Sequence, residues 1–299
     1  MPSSEVQILS RKIAVHKDLQ IHYREAQPVG ESKGTVLLIH GYPQSSYQFR
    51  FVIQPIAAAG YRVIAPDTTG HGSSSKPVRD VSGFTKKQLA QDLYTFLQDG
   101  LAIKSPIHVI GHDIGGMIAF AFVMQFPEFV ASIIWGECPL PGTSEYHKFK
   151  HDKEHWHFNF QGGQPDMAAW LVQGKERPYI KQFYDRFAYS QTPFTDEVID
   201  HYVAHYSSPG ALQSAFYVYA AFEQDASQNE EWLKTRGKAR VRNMILTGAN
   251  HALAAGAENM ANEAFQNPHV RFVSESGHYI AEENPQDFVK HVLEFLGED

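Results

Sequence analysis

Three short segments carry residue types that together can perform nucleophilic catalysis by a carboxylate. The first is GHDIGG, in which Asp113 lies between two apolar stretches and is flanked by small residues. Glycines at positions 111 and 115 permit a sharp strand–turn–helix elbow, which lifts the central residue out of a sheet at the positive end of a helix. The elbow usually carries serine at its centre. Asp113 has no hydroxyl, so serine hydrolysis is excluded, and a nucleophile at this position would have to be the carboxylate.

The other two segments supply the partners that such a nucleophile needs. SGHY places His278 on a loop from which it can reach Asp113 as a general base. HGYP can bring the backbone N–H of Tyr42 beside that of Ile114 to form an oxyanion hole. Alone, each segment has an ordinary explanation as a helix N-cap, a loop histidine or a turn. All three follow apolar strand-like runs, so they are expected to meet at the edge where open α/β sheets bind ligands.

An alternation of strand and helix signals must position these segments. Apolar runs predict strands at residues 20–25, 35–39, 61–67, 106–112, 130–136, 241–248 and 269–275. Helices are predicted at residues 47–58, 86–97, 115–126 and 285–297. This alternation is typical of an α/β fold with a mostly parallel sheet flanked by helices.

The stretch from residue 138 to residue 235 departs from this pattern. It is polar, rich in aromatic residues and helical in its periodicity, and it contains no convincing buried strand. We therefore expect a core domain formed by residues 1–137 and 236–299, with an all-helical cap domain, residues 138–235, inserted between two strands of one sheet.

Composition excludes several other classes of protein. The chain has 299 residues, 43% hydrophobic and 20% charged, which is enough to bury a large core. The net charge is −7 and no basic stripe is present, so nucleic acid is not an expected partner. The single cysteine, Cys138, excludes an intrachain disulfide. No apolar run approaches the roughly 20 residues of a membrane span. The N-terminal stretch lacks the apolar core of a signal peptide, so a cytoplasmic protein is expected.

The segments HGYP, DTTGHGSSSKP, GHDIGG and SGHYIAEENP carry a resemblance to a known superfamily. Over nearly its whole length the chain resembles the α/β-hydrolases, and within them the aspartate-nucleophile branch of epoxide hydrolases, haloalkane dehalogenases and haloacetate dehalogenases. The resemblance implies that Asp113 forms a covalent alkyl-enzyme ester, which a water activated by His278 hydrolyses. It implies no metal or organic cofactor, and it suggests a cis bond before Pro43.

Differences within this branch favour an epoxide as the substrate. Haloacetate dehalogenases carry arginines one and four residues after the nucleophile, where this chain has Ile114 and Met117. Haloalkane dehalogenases usually have tryptophan at the position of Ile114. The cap sequence instead resembles that of the Cif-like epoxide hydrolases, which open the ring with a His–Tyr pair. The resemblance assigns this role to His157 and Tyr219, with Tyr217 as the fallback.

The same resemblance indicates which acid orients the catalytic histidine. Many epoxide hydrolases place an aspartate after the strand that follows the cap, but that region reads LTGANHALAAG and contains no carboxylate. The Cif-like pattern has glutamate after the strand that follows the nucleophile helix, which here is Glu137. The expected partners are a small-molecule epoxide and water, and a homodimer is possible. The alternatives are a dehalogenase that uses the same Asp113 and a non-catalytic α/β-hydrolase that only binds its ligand.

Overall fold

The computed structural model describes residues 6–297; the ends of the predicted core domain, residues 1–5 and 298–299, lie outside this range. The strands are β1 (Ile8–His16), β2 (Leu19–Ala26), β3 (Gly34–Ile39), β4 (Tyr61–Pro66), β5 (Ile107–His112), β6 (Val130–Gly136), β7 (Arg242–Gly248) and β8 (His269–Val273). The α-helices are α1 (Ile53–Ala58), α2 (Lys86–Thr95), α3 (Ile114–Gln125), α4 (Ser144–Phe149), α5 (Trp156–Gly163), α6 (Pro165–Val172), α7 (Glu176–Phe187), α8 (Asp196–Tyr206), α9 (Ala211–Ala220), α10 (Phe222–Arg236), α11 (Ala257–Ala264), α12 (Ile280–Glu283) and α13 (Pro285–Gly297).

The strands form one sheet in the order β1-β2-β4-β3-β5-β6-β7-β8. Strands β1 and β2 run antiparallel to their neighbours, and β3 to β8 are parallel, which confirms the expected α/β class. The edge strand β1 was not predicted from the sequence. Its side chains are half-buried or exposed and none is fully buried, so it lacks the apolar run that marked the central strands.

The predicted helix at residues 47–58 is wrong in its extent. The structure has a short 3₁₀ turn, Ser46–Phe49, and then the separate helix α1. Pro55 explains the break, because it has no N–H to donate to residue 51 and is tolerated only in the first turn of a helix.

Two hydrophobic layers cover the sheet, one on each face. Side chains of α2, α3 and α11, such as Leu89, Phe120 and Met260, belong to one buried cluster, and Ile56 of α1 and Phe288 of α13 belong to the other. Seven helices, α4 to α10, follow one another between β6 and β7. We therefore propose the predicted boundaries, residues 138–235, for a helical cap. In the described range, no helix is both long enough and apolar enough to cross a membrane.

The connection from β5 to α3 depends on glycine for steric reasons. A Cβ atom on Gly111 would lie 2.2 Å from the carbonyl oxygen of Gly115, and one on Gly115 would lie 2.1 Å from the carbonyl oxygen of Ile39. Both contacts are with backbone, which cannot move aside. Close approach of strand and helix therefore requires glycine at both positions, as the sequence pattern indicated.

We expect Gly115→Ala to lower the free energy of unfolding by about 3 kcal/mol, because overpacking against backbone outweighs the helix preference of alanine. A matched control is Gly163→Ala in α5, where a Cβ would meet nothing within 4 Å. The control should change stability by about 0.5 kcal/mol or less. Urea unfolding of both variants measures the difference. Equal stabilities would contradict the steric argument.

Candidate active site

Asp113 occupies the turn between β5 and α3 with φ 55° and ψ −128°. Few residues other than glycine adopt this conformation, and such strain is concentrated at functional sites. The surrounding backbone holds the turn: the N–H of Asp113 donates to the carbonyl of Gly136 at 2.9 Å, and its own carbonyl accepts from Gly116 at 2.7 Å. The carboxylate therefore projects from the carboxyl edge of the sheet.

Two backbone N–H groups converge on this carboxylate. The N–H of Tyr42 donates to Oδ1 of Asp113 at 2.8 Å, and the N–H of Ile114 is close enough to lower the pKa of the carboxyl group. Tyr42 precedes a cis peptide bond to Pro43. Burial raises the pKa of Asp113, while His278 and these two donors oppose that rise. The N–H of Tyr42 points at Oδ1, an oxygen on which negative charge would develop if the Asp113 carbonyl carbon were attacked, and that of Ile114 lies beside the carboxylate.

His278 lies in the loop between β8 and α12, with its two ring nitrogens facing two carboxylates. Its Nε2 is 3.8 Å from Oδ2 of Asp113, and its Nδ1 is 3.0 Å from Oε2 of Glu137. Burial lowers the pKa of His278, but the hydrogen bond to Glu137 and the charge of Asp113 outweigh it, and the net shift is upward. The side chains of Asp113, His278 and Glu137 thus lie in one contiguous array.

Glu137 follows β6 directly and is fully buried, with φ 58°. Its Oε1 accepts from the hydroxyl of Thr247 and from the N–H of Gly248, the latter at 2.6 Å. Burial raises the pKa of Glu137, yet the imidazoles of His251 and His278 lower it well below its ordinary value. The carboxylate is therefore ionised and held by the end of β7.

The cap places His157 and Tyr219 over this array. His157 lies in the first turn of α5 and Tyr219 near the end of α9, and their ring centroids are 5.7 Å apart. Both side chains are buried and line the same cavity as Asp113. Tyr217 does not line that cavity, and its hydroxyl donates to Asp166 at 3.0 Å. Of the two tyrosines named from the sequence, Tyr219 is the one beside the array.

The cavity between core and cap is small, with a volume of about 30 Å³. A volume of that size holds about one water molecule, whereas pockets that enclose a ligand usually reach about 300 Å³ or more. Besides the residues already described, its walls are formed by Pro139, His155, Phe158, Phe183, Phe187, His251, Leu253 and Tyr279. The cavity in this structure is therefore smaller than one that encloses a ligand.

Hydrogen bonds from the cap also fix the loop that carries His278. The N–H of His278 donates to the carbonyl of Phe187, the last residue of α7, at 3.0 Å. The carboxylate of Glu283 accepts from Tyr189 and Ser190 in the cap at 2.7 and 2.9 Å. The same carboxylate accepts from Tyr279 at 2.9 Å on the core side. The cap and the loop that carries His278 are thus joined directly.

One residue of the site, His251, was missed by the sequence analysis. It lies three residues after β7 and lines the cavity, and its Nδ1 is 2.7 Å from Oε2 of Glu137. The signal was present in LTGANHALAAG, but that segment was searched only for a carboxylate. Within residues 6–297, Glu137, His251 and His278 are also the group whose ligand atoms are close enough to hold a metal ion. Oε2 of Glu137 already has a hydrogen bond with Nδ1 of His278 and lies close to Nδ1 of His251.

Comparison with known proteins places this chain in a family. A family model described as alpha/beta hydrolase fold matches residues 34–285. The chain is 30% identical over 301 residues to the soluble epoxide hydrolase of Corynebacterium sp. (strain C12), covering 96% of this chain and 99% of that protein. The expected superfamily is confirmed.

Solved structures agree with the fold. The epoxide hydrolase CorEH superposes with a TM-score of 0.82 at 28% identity, covering 97% of this chain and 98% of that one. The Cif epoxide hydrolase of Acinetobacter nosocomialis superposes with a TM-score of 0.84, covering 99% and 90%, although its 21% identity speaks only for the fold. The protein belongs to the alpha/beta hydrolase fold family.

Proposed function

We propose that the protein is an epoxide hydrolase that converts an epoxide to a vicinal diol through an ester on Asp113. The observation that carries this proposal is the position of His157 and Tyr219 in the cavity that also exposes Asp113. An epoxide needs both a nucleophile on carbon and a proton donor on oxygen, and the two sides of the cavity offer these separately. The family relationship to a protein named soluble epoxide hydrolase supports the same reaction.

Ring opening is the first step of the proposed reaction. A carboxylate oxygen of Asp113 attacks the less hindered epoxide carbon and forms a C–O bond. The bond between that carbon and the epoxide oxygen breaks, and its electron pair stays on the oxygen. His157 and Tyr219 donate hydrogen bonds to this oxygen, and one of them protonates it. The product of this step is a hydroxyalkyl ester of Asp113.

Both donors carry their protons at neutral pH. Burial, together with His155 and Arg186, lowers the pKa of His157 well below its ordinary value, so its ring is neutral and retains one N–H. Burial and the nearby Asp113 raise the pKa of Tyr219 well above its ordinary value, so its hydroxyl is protonated. The pair therefore acts by neutral hydrogen-bond donation rather than as a cation.

Ester hydrolysis is the second step. His278 takes a proton from water, and the resulting hydroxide attacks the carbonyl carbon of Asp113. The N–H groups of Tyr42 and Ile114 hold the oxyanion, and Glu137 stabilises the protonated imidazole. The intermediate then collapses, and the leaving diol oxygen takes the proton from His278. The remaining acid proton on Asp113, which came from the water, returns to the cap donor that protonated the epoxide oxygen, so the carboxylate of Asp113 is restored.

We expect Tyr219→Phe to slow epoxide ring opening by about 10²-fold, because one of two donors to the alkoxide is lost. The single-turnover rate of ester hydrolysis should change less. Tyr217→Phe is the matched control, since its hydroxyl bonds to Asp166 outside the cavity, and it should behave like the wild type. Rapid-quench kinetics on an epoxide separates the two steps. If hydrolysis alone slowed, Tyr219 would not be the donor.

The products separate epoxide hydrolysis from dehalogenation. A departing halide needs no proton, so a dehalogenase would release halide from a haloalkane and would make no diol from an epoxide. Neither Ile114 nor Met117 can pair with a haloacid carboxylate. The cytoplasmic location and the homodimer expected from the sequence stay predictions.

A further inference from the structure

Glu137 faces two imidazoles rather than one. The same atom, Oε2, lies 3.0 Å from Nδ1 of His278 and 2.7 Å from Nδ1 of His251. The rings of the two histidines are 5.1 Å apart and inclined by 48°. The catalytic acid in this array therefore has a second basic partner, to which neither the sequence nor the proposed mechanism gives a role.

The contact between His251 and Glu137 defines where a proton must lie. Two lone pairs facing each other at 2.7 Å would repel, so Nδ1 of His251 carries a proton. The contact does not have the geometry of a regular hydrogen bond, since Nδ1 of His251 has no partner that meets the angular requirement. The interaction is thus mainly electrostatic, and in this buried setting it is only weakly screened.

We propose that His251 is a positioning residue that shares the Glu137 carboxylate with His278 and thereby sets the pH at which His278 becomes a base. This inference rests on the proposed epoxide hydrolase mechanism. A carboxylate that is partly neutralised by one donor attracts the proton of the other less strongly. This partial neutralisation of Glu137 lowers the proton affinity of His278.

Other ionisable groups also face His278, and each of the charged ones shifts its pKa in a definite direction. They are Asp113 and Glu137, Glu283 from α12, His112 from β5, and His155 and His157 from the cap. The three acids favour the protonated form of His278. Burial lowers the pKa of His112 to about 3 and that of His155 to about 4, so these rings are neutral near pH 7.

His251 is therefore placed to oppose the effect of the acids on the pKa of His278. Glu137 does not depend on it for position, because its Oε1 is held by Thr247 and Gly248. Removing His251 should leave the carboxylate in place and give its full charge to His278. His278 then stays protonated to higher pH, and a protonated imidazole cannot activate water. The acid limb of ester hydrolysis should move to higher pH.

The experiment compares His251→Phe, which keeps a ring but no donor, with His251→Gln, which keeps an N–H donor but cannot carry charge. The pKa of His278 is measured by NMR titration in each protein, with its signal assigned by its loss in His278→Gln. We expect His251→Phe to raise this pKa by about one unit and His251→Gln to raise it less. An unchanged or lowered value in both variants would overturn the proposal.

A kinetic measurement completes the test. The acid limb of single-turnover ester hydrolysis should follow the same shift, whereas a purely structural role for His251 would lower the rate equally at every pH. If His251→Phe fails to fold, as judged by thermal unfolding, His251→Gln carries the test alone, with a raised His278 pKa expected. The NMR titration needs no substrate, so a failure of the proposed epoxide chemistry is seen separately, as absence of diol from the wild type.

Discussion

Replacement of Asp113 by alanine is expected to lower epoxide turnover by about 10⁴-fold or more, because no other group can form the covalent ester. Within the described residues, the cavity holds one further carboxylate, Glu137, and its oxygens are occupied by Thr247, Gly248 and two histidines. A water molecule that attacked the epoxide directly would not be fixed next to the reacting carbon, as the carboxylate is, and would lose the rate advantage of that positioning. Diol formation, followed by chromatography across a panel of epoxides, measures the loss.

The matched control for this variant is Asp166→Ala. Asp166 is a cap carboxylate that accepts from Gln213 and Tyr217 outside the cavity, so its loss should leave turnover near the wild-type rate. Asp113→Ala should still fold, because it removes a carboxylate whose pKa is raised by burial and leaves the glycines of the elbow unchanged. Appreciable turnover by the folded variant would refute the assignment of Asp113 as nucleophile.

The second large effect is expected from His278→Gln, which should open the epoxide but fail to hydrolyse the ester. Loss of a general base slows its step by about 10²–10⁴-fold, while attack by Asp113 does not require that base. The ester should accumulate, and the intact mass should rise by the mass of the whole epoxide. Peptide mapping should locate the addition at Asp113.

The double variant Asp113→Ala/His278→Gln is the control for this experiment, and it should gain no mass. A panel with epoxides, haloalkanes and fluoroacetate makes the result specific for the reaction. An alkyl or carboxymethyl adduct with release of halide would identify a dehalogenase instead. No adduct with any compound, in a folded protein that retains Asp113, would favour the alternative of a ligand-binding protein.

The features that were predictable from the sequence are local in the chain. The elbow around Asp113 was recognisable because its glycines and flanking apolar runs lie within a few residues of each other. Parallel strands then bring Tyr42, Glu137 and His278 to one edge, so their proximity followed from the fold class. Tyr219 could be preferred over Tyr217 only through the family resemblance, and the structure places it beside Asp113.

The features that were missed depend on contacts between distant segments. Nothing in the local sequence distinguishes His251. Its contact with Glu137 forms only because β7 pairs with β6 in the sheet. The edge strand β1 is stabilised by its ladder with β2 rather than by an apolar run. The cavity volume depends on how the cap helices pack against the core, which periodicity within each helix does not determine.

The hydrogen bond from His278 to the carbonyl of Phe187 has a consequence for the catalytic cycle. In the proposed reaction, substrate entry and diol release would need more room than this cavity of about 30 Å³ offers, so we expect the cap helices to move. A movement of α7 away from the core would break that bond and withdraw Tyr189 and Ser190 from Glu283. In the proposed reaction, the loop that carries His278 would then be held less firmly, and we expect activation of water to be coupled to closure of the cap.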